Sequence, residues 1–75
     1  MTLADLKPGQ SANICGFSNF GVATQRMMQL GLLEGSVVAM IRKAPAGGPV
    51  EVKIMNYALS LRREEANTIQ VSPLA

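Results

Sequence analysis

Val50-Glu51-Val52-Lys53-Ile54-Met55-Asn56-Tyr57-Ala58-Leu59-Ser60-Leu61-Arg62 decides the fold. Val50, Val52 and Ile54 alternate with Glu51, Lys53 and Met55, the period of a strand with one buried face. Leu59 and Leu61 then alternate with Ala58, Ser60 and Arg62. Asn56-Tyr57 between the two runs predicts a tight turn, because Asn tolerates positive φ. Strands over 50–55 and 58–62 follow, with Ile54 opposite Leu59 and Val52 opposite Leu61.

Working backward, Ala44-Pro45-Ala46-Gly47-Gly48-Pro49 reads as a loop and residues 36 to 43 as a strand rich in β-branched side chains. Pairing across that loop sets Arg42 opposite Glu51 and Ile41 opposite Val52, so Val37, Ala39 and Ile41 are expected inside. Glu51 then falls between Arg42 and Arg62 on the outer face, beside an apolar patch of Val38, Met55 and Ala58. Further upstream, residues 12 to 17 predict a strand with Ile14 inward. Ser18 and Asn19 offer caps for a helix over 22–30 whose Ala23, Met27 and Leu30 share one face. Gly31 suits a left-handed cap, with Leu32 folding back as its apolar partner. Thr2 can cap a turn burying Leu3 and Leu6, and 63–67 predicts one helical turn before a last strand with Ile69 and Val71 inside.

About five short strands with one α-helix after the first make a mainly β fold. A small barrel is its natural arrangement, since closure buries one face and removes edges. At 75 residues the chain, 1–75, reads as a single domain. Hydrophobic residues are 48% and charged residues 16%, enough apolar content for a core and too little charge for disorder. Arg42, Lys43, Lys53, Arg62 and Arg63 gather around one end of these strands, but the net charge of +2 is too small to demand nucleic acid, Glu51 neutralises the middle of the cluster, and the three aromatics do not interleave with those bases.

The chemistry implied is mostly negative. With no His, the commonest general base and the usual nitrogen ligand for zinc or haem are missing. Asp5, Glu34, Glu51, Glu64 and Glu65 form no paired-carboxylate pattern, and there is no phosphate-binding glycine motif, so the chain reads as a non-enzyme without a cofactor. The single Cys excludes an internal disulfide, and Cys15 is expected to be small and buried. Five Met residues read as core filling rather than a soft-metal site. No run approaches 18 apolar residues and the N-terminus has no signal-peptide pattern, so a cytoplasmic protein without direct membrane insertion is expected.

What remains is apolar surface. Met28 should leave the helix stripe, Leu32 and Leu33 stand beside glycines, and Pro45 and Pro49 stiffen their loop. With Arg26, they are the candidate partner-binding residues, a rim for another protein or for a second copy of the chain.

Arg26-Met27-Met28-Gln29-Leu30-Gly31-Leu32-Leu33-Glu34-Gly35 resembles the R-L-x-x-L-G-L-x-P-G signature of the FeoA family. The Pro45 to Pro49 loop, Leu59-Ser60-Leu61-Arg62 and Glu65-Ala66-Asn67-Thr68-Ile69-Gln70-Val71 resemble later pieces of the same pattern, in order. Met27 replaces the usual Leu, Glu34 the usual Pro, and Asn56 a common Gly. The resemblance implies an SH3-like barrel and an accessory role in ferrous iron uptake. Its expected partner is the cytoplasmic region of a FeoB-type ferrous iron transporter, which would hold it at the inner face of the membrane. Transition-metal binding is a family term that this sequence supports with no ligand set. The same barrel occurs in metal-dependent repressors of the diphtheria-toxin-repressor type, which carry a winged helix and metal ligands absent from these 75 residues. A small nucleic-acid-binding barrel is the third alternative.

Overall fold

The computed structural model describes residues 1–74. A 3₁₀ turn (Leu3–Asp5) leads into β1 (Ser11–Phe17), α1 (Val22–Gln29) and β2 (Val37–Lys43). β3 (Val50–Ile54), β4 (Tyr57–Leu61), α2 (Arg63–Ala66) and β5 (Ile69–Pro73) complete the chain. The sheet is antiparallel in the order β4-β3-β2-β1-β5. Its two end strands bury Leu61, Ile69 and Val71 in the same core cluster as Ile14, Met40 and Val52, so the sheet is wrapped around one interior. No ladder joins β4 to β5 among the described residues; α2 spans that seam instead. The barrel expected from the sequence is therefore a curled sheet with two edges.

β3 follows its sequence pattern: Val50, Val52 and Ile54 are fully buried, and Glu51 and Lys53 point outward. The β3–β4 hairpin differs from expectation by two residues. Met55 and Asn56 form the turn, positive φ falls on Met55 (φ 53), and Ile54 pairs with Tyr57, Val52 with Leu59 and Val50 with Leu61. A two-residue slip preserves the faces, which is why Leu59 and Leu61 still turn inward while Glu51 meets Ser60 instead of Arg62.

β2 is reversed from expectation. Val38 and Met40 are buried, whereas Val37 and Ile41 are exposed. Arg42 does pair with Glu51, but Met40, not Ile41, pairs with Val52. Ile41 is the extra residue of a bulge, which lets the hairpin end and the rest of the strand take opposite parities. Val38 accordingly leaves the expected outer patch for the core. A second irregularity in the β1–β5 ladder, between Ile14 and Gly16, leaves Cys15 exposed rather than buried.

Leu3 and Leu6 are fully buried beneath the N-terminal turn, where Asp5 Oδ2 accepts the Thr2 amide at 2.8 Å. α1 buries Thr24 and Met27, while Ala23 and Leu30 are exposed, so only Met27 of the expected stripe is buried and Thr24 takes the place of Ala23. Gly21 is its N-cap; Asn19 supports the approach by accepting the Gly21 amide at 2.9 Å, and its carbonyl accepts the Thr24 hydroxyl. The helix ends as the sequence predicts. Leu32 N–H donates to the Met27 carbonyl at 3.1 Å and Gly31 N–H to the Met28 carbonyl at 3.0 Å, a Schellman pair with Leu32 closing onto the core.

Gly31 has φ 105, and a Cβ there would lie 2.7 Å from Tyr57 Oη. The hydroxyl end of Tyr57 can move aside, so the backbone conformation sets most of the cost. Gly31→Ala is expected to lower unfolding free energy by about 1–2 kcal/mol in urea titration. An unchanged midpoint would mean that the cap does not need glycine.

Candidate functional site

The 44–49 loop, which carries both prolines, is ordered by its own turns and by α2. Ala44 N–H donates to the Pro49 carbonyl at 2.9 Å and Gly48 N–H to the Pro45 carbonyl at 3.2 Å. Ala46 and Gly47 take positive φ. The half-buried Arg63 of α2 then clamps the loop from across the fold, donating from Nε to the Gly48 carbonyl at 3.1 Å and from Nη2 to the Ala44 carbonyl at 3.0 Å. The prolines therefore stand on a fixed platform.

Two residues on, Glu65 fixes α1. One carboxylate oxygen accepts the Arg62 amide at 3.0 Å, and the other is ion-paired with Arg26. Burial pushes the Glu65 pKa up, but the Arg62 amide and Arg26 outweigh it and hold the group below its ordinary 4.5. Arg42 and Glu51 form the second ion pair, Nε to Oε1 at 2.8 Å, on the outer face. Asp5 is also held below the ordinary range, chiefly by the Thr2 amide.

Between α1 and the end of β4 these contacts leave a trough of about 650 Å³. Val22, Ala23 and Arg26 form one wall, Pro49 and the Ser60–Arg62 stretch the other. It adjoins a hollow of about 470 Å³ under the proline loop, bordered by Arg42, Lys43, Pro45 and Glu51; Pro49 and Ser60 belong to both.

The structure thus gathers Arg26, Pro45 and Pro49 from the candidate rim and separates the rest. Leu32 is fully buried and cannot touch a partner; it leaves the rim because the Schellman cap folds it inward. Met28 is half-buried and Leu33 is 47% exposed, both near the other end of α1. The sequence reading missed Val22, 82% exposed and in the trough wall, because it precedes the helix stripe and has no apolar neighbour in register. The basic cluster is real in part, but Arg63 turns inward to hold the loop, and Arg42 is paired. No group of three or more His, Cys, Asp or Glu side chains able to hold a metal occurs among the described residues. No helix among the described residues is long and apolar enough to cross a membrane.

Residues 1–73 match the FeoA domain. The chain belongs to the FeoA family. It is 37% identical over 71 residues to an Fe(2+) transport protein A/Fe(2+) transporter FeoB fusion protein of Porphyromonas gingivalis, covering 95% of this chain but only 8% of that protein. The solution structure of FeoA from Chlorobium tepidum superposes with a TM-score of 0.91 at 37% identity, over 100% of this chain and 71% of that one. Stenotrophomonas maltophilia FeoA, solved with zinc and described as an SH3 domain protein, gives 0.85 at 29% identity over 96% and 89%. A manganese-dependent transcriptional repressor gives 0.88 at 18% identity, over 97% of this chain and 40% of the repressor, a likeness of fold alone. The SH3-like class read from the sequence is correct for this FeoA domain.

Arg63→Ala removes two charged-donor bonds to loop carbonyls and is expected to cost about 1–3 kcal/mol. Hydrogen exchange at the Ala44 and Gly48 amides should accelerate before the sheet amides do; unchanged exchange there would show the loop holds itself. Because Glu65 is depressed in the folded state, its contribution is present above pH 4.5 and fades as pH falls through its lower folded value. Glu65→Gln should therefore lower stability at pH 7 and flatten the loss seen on acidification below about 4.5, measured by denaturant titration across pH.

Proposed function

We propose that this chain is a non-catalytic accessory domain of ferrous iron transport that docks on the cytoplasmic region of a FeoB-type transporter. The observation that carries the reading is the Porphyromonas gingivalis relative, in which an Fe(2+) transport protein A and the transporter FeoB form one polypeptide. Two functions joined in one chain meet at high effective concentration, an arrangement that serves partners acting together. The trough fits this role better than it fits chemistry. Its titratable groups are Arg and Glu, with no nucleophile and base in hydrogen-bonding reach of one another.

In this reading Arg26, Pro45, Pro49 and Val22 make the central contacts, because they border the trough and its adjoining hollow, whose α1 wall is held by Glu65 and whose loop side is held by Arg63. Met28 and Leu33, near the far end of α1, are peripheral. A preformed surface loses little ordering entropy on binding, so a modest area can suffice. A second copy of the chain is the competing occupant, and its presence would appear as concentration-dependent mass.

Calorimetric titration of the full chain into the isolated cytoplasmic region of the transporter, with and without guanine nucleotide, tests the reading. Saturable binding is expected, with Val22→Glu weakening it at least tenfold and Leu33→Glu weakening it less. Both changes are at exposed positions and should leave the thermal midpoint within a few degrees. Absence of heat under every nucleotide condition, or full binding by the Val22 variant, would contradict it.

A further inference from the structure

β4 lies at the open end of the sheet. Tyr57, Ala58 and Ser60 are exposed, and Ser60 to Arg62 form one bank of the trough, with α1 as the other. An end strand bordered by a hollow presents unpaired backbone N–H and C=O groups to whatever enters. The charge there is one-sided. Arg26, Arg42, Lys43 and Arg62 border the trough and its adjoining hollow, against the carboxylates of Glu51 and Glu65 alone. Both carboxylates are committed, Glu65 to Arg26 and the Arg62 amide, Glu51 to Arg42. Arg62 and Lys43 have no ion-pair partner among the described residues. The excess of two positive charges equals the net charge of the whole chain, so it is concentrated on this face.

We propose that the trough takes an acidic, extended segment of a protein partner, which adds to the free edge of β4 as a sixth strand. This rests on the docking reading above and names the kind of partner segment that docks. Main-chain bonds to β4 would supply affinity, and alternate side chains would supply selection. Side chains two residues apart in a strand are about 6.6 Å apart on one face. An apolar side chain can lie against Val22 and Pro49 while a carboxylate reaches Arg62. Pairing of β4 with β4 of a second copy is disfavoured, because it would bring like-charged banks together. Single-stranded nucleic acid fits less well, since no aromatic ring lines the trough for a base to stack on.

Fluorescently labelled, overlapping 12-residue peptides spanning the cytoplasmic region of a FeoB-type transporter provide the test, titrated with the full chain and read by anisotropy. Binding should be confined to peptides with two or more Asp or Glu alternating with apolar residues. It should fall at least tenfold with Arg62→Glu and several-fold with Arg62→Ser, which keeps a good helix cap; far-UV circular dichroism checks that both variants fold. N-methylation of alternate peptide amides should abolish binding if main-chain bonds carry it. Preference for neutral or basic peptides, full binding by both Arg62 variants, indifference to N-methylation, or no binding by any peptide would overturn the proposal. So would a dimer that forms through β4 and excludes the peptides. If every peptide fails while calorimetry detects the folded cytoplasmic region, strand addition falls and docking stands. If both fail, both fall.

Discussion

Arg63 and Glu65 reach in different directions from a helix of four residues, and the exposed face of the domain depends on both. Arg63 takes two carbonyls of the proline loop, 15 and 19 positions away in sequence. Glu65 takes Arg26 of α1, 39 positions away. α2 itself spans the seam where β4 and β5 fail to pair. One short segment thus connects the two end strands, sets the loop and anchors the helix. A loop with two prolines and two glycines would otherwise have several accessible conformations, and the trough wall would have to be ordered on binding.

The core sets the limits within which this face can vary. Leu3, Leu6, Ile14, Met27, Leu32, Met40 and Ile69 are all nearly or fully buried in one cluster. In so small a domain almost every inward position is needed for stability, which leaves the outside for recognition. The trough, accordingly, is built from edge strand, loop and helix flank rather than from a cavity in the core.

Much of this was legible in the sequence. Strict alternation in 50–54 located β3, and Gly31 followed by Leu32 located the end of α1, since each signal is local. Two bulges were not legible. A bulge inserts one residue without changing composition, so Ile41 looked like a core residue. Cys15 looked buried from its residue type alone, although alternation from an inward Ile14 turns it outward. The hairpin slip was hidden for the opposite reason: a shift of two keeps every face unchanged. Arg26 and the two prolines were placed in the candidate rim from sequence, yet what binds them into one surface is the pair of long-range contacts from α2. Charge pattern alone grouped Arg63 with the exposed bases. Its inward turn follows from loop carbonyls that only the folded chain brings into reach.

The central claim is that the face between α1 and β4, fixed by α2, is where the transporter engages this domain. A solved structure of the full chain bound to the transporter's cytoplasmic region tests it most directly. The account predicts partner density between Val22 and Ser60, against Pro49, with Arg63 still holding the Ala44 and Gly48 carbonyls. A complex in which the partner sits on the β1–β5 side, leaving that trough open to solvent, would contradict it.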